Sequence, residues 1–84
     1  MGTYGTDIQA ALVKQVKAEM AAQDMYQKDM AAKLGMQTST LSRYLSGERD
    51  VPMPVAVGFA DALGLSMIEL VQRAERRLEG NNVQ

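Results

Sequence analysis

Cysteine and histidine are both absent from this chain. With them go disulfide staples, thiolate or imidazole metal sites, and every catalytic arrangement built on a thiol or imidazole. Glycine-rich phosphate loops and nucleophile elbows are missing too, and no carboxylates recur at metal-ligand spacing. The sequence thus gives no reason to expect an enzyme, a metal centre, a cofactor or a small-molecule ligand. No apolar run approaches the length needed to span a bilayer, and no basic-then-apolar leader marks secretion. Cytoplasmic residence is the simplest expectation. A dominant charge sign is also lacking, since nine Lys and Arg against ten Asp and Glu leave a formal net charge of −1.

What is present is ordinary for a small soluble domain: 46% apolar and 23% charged residues in a chain of 84. That length accommodates one domain, residues 1–84, with little room for a second. Residues 1–5 carry two glycines and no pattern, and together with residues 80–84 are expected to be mobile.

Helical periodicity accounts for the rest, and no segment reads as a strand or a repeat. Ile8, Leu12, Val16 and Met20 recur every fourth residue, which predicts a helix from Asp7 to Gln23 with Thr6 and Gln9 as its capping pair. Asp24 offers a cap for a second helix ending at Gly35, a position that favours a left-handed backbone. After a short turn at Met36 and Gln37, a third helix runs to Ser46 and stops at Gly47. A loop closed by Val51-Pro52 leads to a fourth helix, Pro54 to Leu63, because the residue before proline avoids the helix and proline is tolerated at a helix start. Ser66 and Glu69 form a capping box for a fifth helix through Leu70, Val71, Ala74 and Leu78, with Gly80-Asn81-Asn82 as its stop. Met20, Met30 and Met67 fall on apolar faces as core fillers, whereas Met36 and Met53 fall in loops.

The second and third helices carry the functional signal. Ala31 is small where two helices would cross, and Leu41 and Leu45 lie one turn apart facing a core. Thr38, Ser39, Ser42, Arg43 and Ser46 occupy the opposite, polar face. A helix so divided has one side for packing and one for reading the DNA major groove. Met25 to Glu69 resembles the Cro/C1-type (XRE-like) helix-turn-helix family. The resemblance rests on Gln27, Ala31, Gly35, Leu41, Ser42-Arg43-Tyr44 and Gly47, and on the later Phe59-Ala60-Asp61-Ala62-Leu63-Gly64-Leu65-Ser66. One departure is Tyr26, where many relatives have Ser or Thr before the glutamine. The resemblance implies an all-α, compact five-helix lambda-repressor-like domain. It also implies a regulator of the phage-repressor kind that occludes RNA polymerase, binding double-stranded DNA as a homodimer on operator half-sites.

The expected DNA-binding residues are Gln27, Gln37, Thr38, Ser39, Ser42, Arg43, Ser46 and Arg49. Gln27 bonds a phosphate or merely caps its own helix as the residue at N3. Gln37, Thr38, Ser39 and Arg43 would meet base edges, with Gln37 or Thr38 alternatively the helix cap and Arg43 alternatively a phosphate clamp. Ser42 and Ser46 are placed for phosphate oxygens or are inert surface. Arg49 is the best phosphate contact of the loop, and Lys28 and Lys33 position the backbone or are simply solvated. From Tyr26 to Arg49, four basic residues against two acids leave +2, the only positive segment of the chain.

Two other readings stay open. An antitoxin would use the last helix and tail to bind a toxin. A protein-interaction module would keep the fold without DNA binding, as the pI of 5.2 suggests, and would depend on an exposed Val71 and Leu78. A spare apolar stripe on the fifth helix is the expected dimer seam.

Overall fold

The computed structural model describes the backbone of residues 3–82 and side chains from 3 to 79. Among the described residues the chain is all helical: α1 Tyr4–Ala22, α2 Gln27–Leu34, α3 Thr38–Leu45, α4 Met53–Leu63 and α5 Met67–Asn82. The expected five-helix all-α architecture is what forms. No single helix among these is long and apolar enough to cross a membrane.

Three of the five helices stop in the same way, and the repeated geometry explains where they stop. After α1, the N–H of Asp24 donates to Ala21 and that of Met25 to Met20. After α2, Gly35 and Met36 donate to Ala32 and Ala31, and after α4, Gly64 and Leu65 donate to Asp61 and Ala60. Each is a Schellman closure, a left-handed residue followed by an apolar one. Gly35 and Gly64 have φ of 67° and 75°, and Asp24 takes the same role at 54°. The apolar followers Met25, Met36 and Leu65 all pack against the core.

Asp24 therefore ends α1 instead of capping α2, correcting the sequence expectation. Aspartate tolerates this conformation better than most residues but still carries a steric cost that glycine does not. Asp24→Gly is expected to stabilise the domain by about 1 kcal/mol. Its thermal midpoint should then rise by about 4–8 °C, measured by circular dichroism. An unchanged or lowered midpoint would mean the carboxylate does something this geometry does not show.

Other boundaries shift for related reasons. α1 begins at Tyr4, so Tyr4 and Gly5, assigned by the sequence to a mobile end, are helical, and Thr3 is the cap residue without a side-chain bond. Residues 1–2 lie outside the described residues. Thr6 and Gln9 form no capping box, because the Gln9 amide has a better partner 42 residues away. Its oxygen accepts from the Val51 N–H at 2.7 Å, and its nitrogen donates to the Val51 carbonyl at 3.1 Å. α4 starts one residue early at Met53, with Pro52 as cap. α5 runs through Gly80 to Asn82. The glycine there is followed by polar Asn81, not by an apolar residue that could close against the core; residues 83–84 of the tail lie outside the description. The Ser66–Glu69 box does form, with both bonds at 3.0 Å, and the Ser66 N–H holds the Glu69 carboxyl below its ordinary range.

The core gathers Val16 and Met20 from α1, Met30 and Ala31 from α2, Leu41 and Leu45 from α3, Phe59 and Leu63 from α4, and Leu70 and Ala74 from α5. Met67 packs at its edge. Gly58 brings α4 close to α2, since a Cβ there would sit 3.2 Å from Leu34.

The apolar stripe of α5 is not spare. Leu70 and Ala74 are fully buried, and Val71 and Leu78 are half-buried, because α5 lies along α1. Ion and amide pairs edge that seam: Arg73 to Glu19 at 2.6 Å, Arg77 to Gln15 at 2.7 Å, and the Tyr4 hydroxyl to Glu75 at 2.7 Å. The Arg73 guanidinium holds the Glu19 carboxyl below the usual glutamate range. A lowered carboxylate stabilises the fold above its unfolded pKa, and that contribution fades as pH falls through the lowered value.

Candidate nucleic-acid interface

Two eight-residue helices, α2 and α3, are joined by the three residues Gly35 to Gln37. The crossing works because Ala31 is small and buried, 3% exposed. The left-handed Gly35 then turns the chain sharply enough for α3 to start after two more residues. On α3, Leu41 and Leu45 are buried as the pattern predicts, at 0% and 3% exposure, while Thr40 and Tyr44 are half-buried at the sides.

The opposite face is uninterrupted. Gln37, Thr38, Ser39, Ser42, Arg43 and Ser46 are all exposed, as are Gln27 and Arg49. Positions 38, 39, 42, 43 and 46 follow the helical repeat, so they form one strip. No acidic residue occurs from Gln37 to Ser46, so nothing on the strip repels a phosphate or competes for Arg43.

Most of these side chains are uncommitted. Among the described residues, those of Gln27, Gln37, Thr38, Ser39, Ser42, Arg43 and Arg49 make no hydrogen bond to protein. Gln37 is the cap residue of α3 and uses no side-chain bond for it. Thr38 lies inside the first turn, so its hydroxyl is not the cap. Ser46 differs: its hydroxyl donates to the Arg43 carbonyl at 3.1 Å and accepts from the Glu48 N–H at 3.3 Å. It closes the end of α3 and shapes the turn at Gly47, whose φ is +84°.

Gln27 is the first residue of α2 and not its third turn-capping position. The N3 place belongs to Asp29, whose carboxylate accepts the Tyr26 N–H at 3.0 Å, so Tyr26 is cap residue despite lacking a serine-like hydroxyl near its backbone. That removes the self-capping alternative for Gln27. The N–H groups of Gln27 and Lys28 precede the first helical hydrogen bond and have no partner among the described residues. A helix start with free amides favours anions.

The helix-turn-helix family model (HTH_3) matches residues 16–70, from the middle of α1 to the first turn of α5. This chain belongs to the Cro/C1-type helix-turn-helix family. No curated protein and no solved structure matches it. Membership makes it a DNA-binding helix-turn-helix regulator. The matched span contains both helices of the motif and α4, which packs against α2.

Sequence reasoning missed the Gln9 latch and what it assembles. By holding both backbone groups of Val51, Gln9 draws the loop after α3 against α1. The resulting cleft of about 250 Å³ is lined by Lys14 and Lys17 of α1 with Ser46, Gly47, Arg49 and Asp50. The only local hint was the spacing of Lys14 and Lys17, three residues apart on one helix face.

Proposed function

We propose that this protein is a sequence-specific transcriptional regulator of the phage or prophage repressor type. It acts in the cytoplasm, where α3 enters the major groove and α2 lies across the backbone. Gln37, Thr38, Ser39 and Arg43 meet base edges, with Arg43 able to make a bidentate contact to guanine. Gln27, the free amides at the start of α2, Ser42 and Arg49 hold phosphates and set the register. Ser46 contributes by shaping the turn, its hydroxyl being occupied by backbone. A homodimer places two such heads on half-sites about 34 Å apart, and occupancy of the operator blocks RNA polymerase.

The observation that carries this reading is the strip on α3: exposed, free of acids, and with Arg43 and its polar neighbours unbonded to the protein. A protein-interaction surface is enriched in aromatic and methionine side chains at its centre, and this strip carries none. The acidic pI, which favoured that alternative, is a property of the whole chain and hides local balance: α4 and α5 together carry a net −1, whereas Tyr26 to Arg49 carries +2. The dimer does not need the α5 stripe, which is used up within the protomer. Met53, Val57 and Ile68 are the large apolar side chains exposed on α4 and at the start of α5.

Selection from a randomised duplex pool tests the proposal. Enrichment of a near-palindromic site, bound at least about a thousandfold better than random DNA, is the expected outcome. A pool that stays random through successive rounds would overturn it.

A further inference from the structure

We infer that Lys14 and Lys17 of α1 join Arg49 in a second phosphate-binding rim, so that α1 itself grips the DNA backbone beside the C-terminal end of α3. The inference rests on the DNA-binding reading and extends it to a helix that reading does not use.

The argument begins with placement. An eight-residue helix is about 12 Å long, comparable to the width of the major groove, so the chain leaving α3 meets a phosphate wall. That chain is Ser46 to Asp50. The Gln9 side chain pins it to α1 through Val51, with bonds of 2.7 and 3.1 Å. Lys14 and Lys17 project from the same α1 face into the same cleft as Arg49.

Charge chemistry follows from placement. Three cations and one acid, Asp50, line the cleft, and the same loop carries Glu48 next to Arg49. None of Lys14, Lys17 and Arg49 has an ion-pair partner among the described residues, where the only pair is Arg73–Glu19. All three are exposed, so holding a phosphodiester there costs no broken salt bridge. The ligand chemistry is the monoanionic phosphodiester of a duplex backbone, which lysine binds as a point charge without regard to sequence. Of the three, Lys14 lies outside the span matched by the family model, residues 16–70.

Fluorescence anisotropy over a range of salt concentrations tests the inference, using the duplex selected above and a scrambled duplex. The probes are wild type, Lys14→Ala/Lys17→Ala, and Arg76→Ala as a remote single-charge control on α5, which does not touch α3. The double variant should bind both duplexes more weakly by the same factor, and its slope of log affinity against log salt should be shallower by about 2, near 0.9 per lost phosphate contact. Arg76→Ala should keep the wild-type slope. A wild-type slope in the double variant, with its circular dichroism unchanged, would overturn the α1 contact alone. So would an equal fall for Arg76→Ala, which would make the effect one of overall field. A wild-type protein that binds neither duplex would overturn the DNA-binding reading, and this inference with it.

Discussion

Replacing Phe59 with alanine should remove a large share of the protein's folding stability. Phe59 is the only phenylalanine in the chain, and its side chain is fully buried at 0% exposure. It sits on α4, the helix that touches α1, α2 and α5. Removing a buried aromatic side chain leaves a cavity that close-packed neighbours fill only in part, at a cost of about 3–5 kcal/mol. A domain of this size has about 5–15 kcal/mol in total. At about 4–8 °C per kcal/mol, the melting midpoint should fall by tens of degrees. The matched control is Met53→Ala on the same helix, where 66% exposure puts the change within about 0.5 kcal/mol. Thermal melts of the two variants check this, and similar midpoints would contradict the assigned core. DNA binding should weaken with Phe59→Ala as well, because α4 packs against α2 at Gly58.

Arg43→Ala should leave the fold intact and relax sequence preference at one base position per half-site. Arg43 is exposed in the last turn of α3, and its guanidinium has no partner among the described residues. A bidentate arginine–guanine contact is worth about 1–3 kcal/mol of discrimination, so affinity for the selected site should fall roughly five- to 150-fold. The loss should be confined to one base position per half-site, with little change on scrambled DNA. Titration of the variant against the selected duplex and single-base substitutions of it makes the distinction. A uniform loss on every duplex, with a salt slope shallower by about 1, would instead make Arg43 a phosphate clamp.

The motif was legible in the sequence because its determinants are local. Ala31, Gly35, Leu41 and Leu45 act within a few residues of one another, and the structure puts each where spacing alone placed it. The polar face of α3 followed from the same repeat. Features decided by distant partners were not legible. Asp24 looked like a helix cap because aspartate commonly is one, yet the Met25 side chain entering the core makes it a left-handed stop. Gln9 sat at capping-box spacing from Thr6, but Val51 lies 42 residues away and offers two backbone bonds. Gly80 resembled the other stops except that Asn81, which follows it, has no reason to enter a core. The α5 stripe appeared to be surplus because nothing local in the sequence shows that α5 lies along α1.

The same long-range contact that hid Gln9 also hid the cleft it builds. Lys14 and Lys17 look like any solvated lysines until the loop after α3 is brought beside them. An overall charge of −1 is thus a poor guide here: residues 26–49 carry a net +2, with Lys14 and Lys17 of α1 near the end of α3, while the balancing acids are spread over the rest of the chain.

Chemical-shift mapping with the selected duplex tests the central claim most directly, because it asks which surface of the protein meets DNA. Backbone amide signals of the isotope-labelled protein would be followed as duplex is added at moderate salt. The largest changes should fall at Gln27 and Lys28, along Gln37 to Ser46, and through Gly47 to Arg49, with the α5 amides from Glu69 to Glu79 nearly still. Changes concentrated on α5 or on the outer face of α4, with α3 unmoved, would contradict the account.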